Sequence, residues 1–135
     1  MGRLIRAISE NGGVLFCAVD ATDIVRKAEE YHKTSAVTTA ALGRLLTAGA
    51  MMGAMLKRED DSLTLRMKGD GPAGTVLVVA NGAGHVKGYV ANPVVELPLR
   101  PDGKLNVGAA VGHDGTLTVI KDMGLKEPYV GQIPL

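Results

Sequence analysis

The chain has 135 residues, which suits one domain that buries roughly two thirds of its unfolded surface without help from a metal or a disulfide. Hydrophobic residues make up 46% of it and aromatic residues only 3%, so we expect a core of closely packed aliphatic side chains. The net charge of +1 gives no general attraction for nucleic acid or acidic lipid, and the single cysteine excludes both an internal disulfide and a cysteine zinc cluster. We expect a cytoplasmic protein, because the first residues contain no apolar stretch long enough for a signal peptide.

The first elements are predicted to be a β-hairpin and a short helix. Apolar runs at residues 3–9 and 14–20 flank the turn sequence ENGG, which is typical of a hairpin. Cys17 lies in the second run and is interpreted as a small buried side chain rather than a reactive thiol. A helix over residues 23–32 follows, with Thr22 as its predicted cap.

A long segment rich in alanine and glycine, residues 36–56, is predicted to be a helix, with Thr34 or Ser35 as its cap. At 1.5 Å per residue it would be about 31 Å long, which is enough to cross a bilayer. Inserting the charge of Arg44 near its middle would cost about 2.5 to 3.5 kcal/mol, so a membrane span is disfavoured. Nearly every face of the helix is apolar or small, which indicates burial inside a globular protein.

Three residues of this helix predict how it packs. Gly49 and Gly53 are one turn apart and allow another backbone to approach closely. Arg44 requires either a carboxylate or carbonyl partner or an exit to solvent at the helix edge, because an unpaired buried charge is costly.

The remainder of the chain is predicted to form antiparallel strands. Residues 62–68 and 85–90 alternate between apolar and polar side chains, whereas residues 75–80 are continuously apolar. The separators GDGPAG and NGAG join these three strands into a meander, and the long helix is expected to lie across one face of it. A proline-rich stretch leads to about one helical turn in LNVGAAVG, and residues 116–122 read as a last strand. The predicted fold is a single α+β domain over residues 1–135, with antiparallel sheets packed on a long, buried, small-residue-rich helix.

No set of residues predicts catalysis, a metal site or a bound cofactor. The stretch GDGPAG matches the spacing of a dinucleotide-binding loop, but a strand follows it instead of a helix, and Pro72 removes a hydrogen-bond donor. The three histidines, His32, His85 and His113, are far apart and lack metal-ligand spacing. A nucleotide-binding role for GDGPAG would require a ligand-dependent change that Gly71→Val abolishes.

Four stretches carry a resemblance to a known family: ALGRLLTAGAMMGAMLK, GDGPAG, GYVANP and, above all, VGHDGTLTVIKDMGLKEPYVGQ. The chain resembles the N-terminal part of the Hsp33 family, the redox-regulated bacterial holdase also called the 33 kDa chaperonin. The resemblance implies a cytoplasmic protein, usually dimeric when active, that binds unfolding clients without ATP after oxidative stress. It also implies a C-terminal zinc module with C-x-C and C-x-x-C motifs. This chain has none of those four cysteines, and Cys17 matches none of them, so we expect a fragment with the platform but without the zinc and the redox switch.

Two functional hypotheses follow from the resemblance. In the first, the chain is a platform that binds unfolded clients through an apolar sheet surface. The candidate contact residues come from the three strands of the predicted meander and are Leu63, Leu65, Met67, Val76, Val78, Val86 and Val90. In the alternative, the chain is a structural dimerisation domain and clients bind to the missing half. A homodimer by strand or segment exchange is expected in either case, because an unfinished sheet leaves an edge exposed.

Overall fold

The computed structural model describes residues 2–135, which form seven strands and three helices. The strands are β1 (Arg3–Ile8), β2 (Leu15–Asp20), β3 (Ser62–Lys68), β4 (Thr75–Asn81), β5 (Val86–Val90), β6 (Thr116–Asp122) and β7 (Tyr129–Pro134). The helices are α1 (Thr22–His32), α2 (Ala36–Gly53) and α3 (Val107–Val111). None of the helices in this described range is long and apolar enough to cross a bilayer.

The strands form two antiparallel sheets, so the predicted α+β class is confirmed. The strands β1 and β2 make a two-stranded hairpin, and the other five make a sheet in the order β5-β4-β3-β6-β7. The three-strand meander was predicted, and β6 then adds to its β3 edge through pairs such as Leu65 with Val119. The central strand β3 therefore pairs with one strand near it in the chain and with one far from it.

The helix α2 lies across one face of the sheet and forms the core with β3, β4 and β5, as predicted. The glycines of α2 allow this contact: a Cβ on Gly49 would lie 2.7 Å from Val78 Cγ1, and one on Gly53 would lie 2.9 Å from the Asn81 carbonyl oxygen. The largest fully buried side chains come from both layers and are Thr38, Leu42, Leu46, Leu63, Leu65, Val76 and Val78. The predicted close approach of another backbone is thus confirmed at Gly53, whereas at Gly49 the close neighbour is the Val78 side chain.

The start of α2 is tied to the proline-rich stretch by the hydroxyl groups of half-buried Ser35 and buried Thr38. Val95 N–H donates to Ser35 Oγ at 2.9 Å, and Thr38 Oγ1 donates to the Pro93 carbonyl oxygen. Ser35 is the residue before the helix, as predicted, but its side chain does not cap the helix. Instead it holds an irregular segment against the core, because the buried polar groups of that segment need partners.

Several element ends differ from the predictions. The helix α2 ends at Gly53 and not at residue 56, because the next residues make a tighter turn, with Leu56 N–H donating to the Gly53 carbonyl oxygen. The helix α1 starts at Thr22, which does not act as the cap. The Asp20 carboxylate accepts hydrogen bonds from both the hydroxyl and the N–H of Thr22, and these hold the pKa of Asp20 below its usual value.

The turn that leads into β3 is held by an ion pair between Asp61 and Arg58. The side chain of Asp61 is only 5% exposed and lies 2.9 Å from the Arg58 guanidinium, and it also accepts the Arg58 backbone N–H. The Arg58 guanidinium in turn donates to the Met123 carbonyl oxygen at 2.7 Å, which joins this turn to the end of β6. The hydrogen bond and the charge of Asp61 raise the pKa of Arg58.

We predict that Gly49→Val lowers the free energy of unfolding by about 1 to 3 kcal/mol, because the added methyl groups must displace Val78 from a packed core. The control is Ala40→Val, at a half-buried residue that borders an open cavity on the other side of α2 and should cost less than about 1 kcal/mol. Urea denaturation measures both, and equal losses would contradict the close contact.

We predict that Asp61→Asn lowers the free energy of unfolding by about 1 to 3 kcal/mol, since the buried side chain loses its charge and one acceptor for Arg58. Asp60→Asn is the control, because Asp60 is 85% exposed and its carboxylate lies 3.9 Å from the Arg58 guanidinium. It should change stability by less than about 0.5 kcal/mol. Thermal unfolding distinguishes the two variants.

Candidate functional site

The seven residues predicted to contact clients all lie on the side of the sheet that faces α2. The register places Leu63, Leu65 and Met67 on this side with their partners on β4 and β5, Val76, Val78, Val86 and Val90. Five of the seven are buried, and Met67 and Val86 are half-buried. In this conformation they form core and not accessible surface, because α2 covers β3, β4 and β5. Direct contact between them and a client stays a prediction and requires α2 to move.

On β6 and β7 the same face of the sheet is not covered by α2. The end of α2 reaches this region only with Met52, which leaves a cavity of about 270 Å³. Its apolar walls come from β6 and β7, and we call it the β7 groove, lined by Met52, Leu117, Val119, Lys121, Tyr129, Gly131, Gln132 and Ile133. Tyr129 and Ile133 are more than half exposed. The strand β7 is also the edge of the sheet, so one row of its backbone groups has no strand partner among the described residues.

The hairpin exposes a second apolar surface. A two-stranded ribbon cannot bury both of its faces, and β1 and β2 pair with no other strand in the described chain. The side towards α2 carries half-buried Cys17, and Arg6 beside it donates to the Ala54 carbonyl oxygen at 3.3 Å. The large apolar side chains of the hairpin that are at least half exposed lie on both faces of the ribbon, and we call them the hairpin patch: Ile5, Ile8, Val14, Leu15 and Phe16.

A third opening lies on the side of α2 that faces away from the sheet. It is a cavity of about 480 Å³, lined mainly by small or apolar side chains of α2 and by Val25 of α1. Arg44 borders it and is exposed, so the predicted exit to solvent at the helix edge is confirmed. The helix is therefore packed against the sheet on one side and only partly covered on the other.

The GDGPAG loop has a structural role in this fold. Its backbone packs against α3: the N–H groups of Gly71 and Ala73 donate to the carbonyl oxygens of Val111 and Ala110 at 2.9 and 2.8 Å. The Asp70 carboxylate accepts the His113 N–H. These donors are unavailable to a phosphate, and β4 follows the loop as predicted, so packing accounts for the glycine spacing.

The described residues do not fit a zinc site. Cys17 is the single cysteine of the chain, and residues 2–135 contain no cluster of three histidine, cysteine, aspartate or glutamate side chains placed to hold a metal ion.

Sequence reasoning did not single out the hairpin patch or the β7 groove. The signal for the hairpin patch was present in the sequence, since the run VLFCAV is too apolar for a strand that exposes one face to solvent. The signal for the second was weak, because Gly131 and Pro134 interrupt the apolar pattern of β7.

The comparisons with known proteins agree with one another. The family model described as "Hsp33 protein" matches residues 2–135. Proteins named 33 kDa chaperonin are similar to the chain, with 51% identity in Clostridium tetani and 54% in Thermoanaerobacter pseudethanolicus, each over 98% of this chain and 45% of that protein. The crystal structure of the 33 kDa chaperonin (heat shock protein 33 homolog) from Thermotoga maritima superposes with a TM-score of 0.92 at 37% identity, over 98% of this chain and 45% of that chain. The chain thus spans less than half the length of these relatives.

We predict that Leu65→Ala lowers the free energy of unfolding by about 2 to 5 kcal/mol, because it leaves a cavity under α2. Phe16→Ala and Ile133→Ala, at exposed positions, should each cost less than about 1 kcal/mol. Chemical denaturation of the three variants tests which apolar residues are core and which are surface.

Proposed function

The chain belongs to the Hsp33 family, and we propose that it is the client-binding platform of an ATP-independent holdase chaperone. The observation that carries the proposal is the pair of exposed apolar surfaces, the hairpin patch and the β7 groove, in a relative of proteins named chaperonins. Exposed apolar surface of this kind is uncommon in soluble monomers and marks sites of protein interaction. No catalysed reaction is part of this proposal.

The two surfaces suit complementary features of an unfolding client. The hairpin patch presents aliphatic side chains and Phe16, which match buried residues that a client exposes when it unfolds. The β7 groove adds an open strand edge, to which an extended client segment can pair through its backbone regardless of its sequence. Such binding relies on apolar contact area and on backbone hydrogen bonds and not on a specific pocket, so it would accept many different clients.

We propose that parts of the protein outside these residues regulate the platform. The resemblance implies a zinc module whose cysteines sense oxidative stress, and this chain has a single cysteine. We propose that the platform is cytoplasmic and holds no zinc itself. We also propose a homodimer, formed by strand or segment exchange, which would cover the exposed edge of β7.

The alternative function, a structural dimerisation domain, draws on the same exposed edge and hairpin. In that case the apolar surfaces contact a second copy, and client binding occurs elsewhere. The two functions predict different responses to the same substitution, since only one of them requires the surface to be open to clients.

We predict that the protein, without ATP and without added oxidant, slows the aggregation of a heat-unfolded client, as measured by light scattering. Phe16→Ser should reduce this protection several-fold, because it removes the aromatic side chain of the hairpin patch. The matched control is Val94→Ser, at an apolar residue that is 67% exposed but lies outside both surfaces.

Sedimentation of the same variants distinguishes the two functions. Loss of protection by Phe16→Ser with an unchanged oligomeric state supports the platform. No protection by the chain, together with an oligomeric state that Phe16→Ser changes, supports the dimerisation domain and overturns the platform.

A further inference from the structure

A cavity of about 610 Å³ lies between α2, the turn over residues 100–104 and the start of α3. Its lining shares no residue with the hairpin patch or the β7 groove. The residues that line it include Arg44, Arg100, Lys104 and His113, and none of the described lining residues carries a carboxylate.

The cations around this cavity are mostly uncompensated. Arg100 forms an ion pair with Asp102 at 3.3 Å. Within residues 2–135, Arg44 and Lys104 make no side-chain hydrogen bond or ion pair, although Arg26 and Arg58 elsewhere in the protein have acidic partners. Permanent positive charges that converge on a concave surface repel one another unless an anion lies among them.

The walls that carry these charges are fixed by the fold. The turn is closed by hydrogen bonds in which Arg100 N–H donates to the Lys104 carbonyl oxygen and Gly103 N–H donates to that of Arg100, both at 2.8 Å. Asp102 adds a bond from its carboxylate to the Lys104 N–H. Arg44 projects from the middle of α2, the most deeply packed helix. A ligand would therefore meet charges whose backbones are already in place, which lowers the entropy cost of binding.

We propose that this cavity binds a small phosphate-bearing anion with two or more negative charges, held by Arg44, Lys104 and Arg100. Guanidinium groups bind phosphate oxygens through paired hydrogen bonds, and a lysine adds a point charge. The volume suits a compact ligand of metabolite size. Nucleic acid is not favoured, because the whole chain carries a net charge of only +1. This binding does not depend on the proposed chaperone function.

The test is isothermal titration calorimetry of the protein with inorganic triphosphate at constant ionic strength. Arg44→Gln should weaken binding about tenfold or more, and Lys104→Gln should weaken it to a similar or smaller extent, because each removes a charged hydrogen-bond donor. The control is Lys126→Gln, an exposed lysine in the loop between β6 and β7 at the other end of the sheet, which should change the affinity less than about twofold. Thermal unfolding of each variant checks that it is folded, and both cavity positions are exposed enough for glutamine.

Two further measurements make the outcome decisive. Triphosphate should shift the amide resonances of Gly103, Gly108 and His113, which line the cavity, and leave those of the β6–β7 loop unchanged. Citrate, a tricarboxylate, serves as the second anion and should bind more weakly. No binding, equal weakening by Lys126→Gln, or a preference for citrate would each overturn the phosphate site.

Discussion

The close contact between α2 and the sheet is the constraint on which the rest of the structure depends. At Gly49 and Gly53 the helix comes so near to β4 that even a Cβ atom would crowd its neighbours. Aromatic residues make up only 3% of the chain, so few large side chains exist that could fill a wider gap between the layers. The interior is thus held together by many small contacts at short range, which leaves little freedom to shift the helix without loss of packing.

The sequence predicted the local elements well and their long-range arrangement less well. Alternation with period two identified β3 and β5, and a continuous apolar run identified β4. The small, apolar residues of α2 identified a buried helix, because these patterns reflect burial directly. The pairing of β6 with β3 has no local signal, and β7 was missed because its strand character depends on β6 beside it. Leu65 and Val78 were predicted to be surface residues because the sequence pattern defines two faces of a sheet but does not say which face a helix covers.

The uncovered surfaces and the cationic cavity all border α2 or the sheet it covers. The helix packs fully against three strands, stops short of β6 and β7, and leaves its outer side half open. A fold that is well packed at its centre therefore presents apolar side chains at its margins, and the charge of Arg44 lies among them. This combination of a rigid centre and open margins suits a platform on which other chains lie, whether they are clients or copies of itself.

The strand order has a consequence for folding during synthesis on the ribosome. Lys68 pairs with Thr116 and Ser62 with Asp122. Roughly fifty to sixty further residues must therefore be synthesised before the second neighbour of the central strand can form. At about 5 to 20 residues per second, translation of that interval takes several seconds. During this time one edge of β3 is unpaired, and the nascent chain exposes the apolar surface of an incomplete sheet.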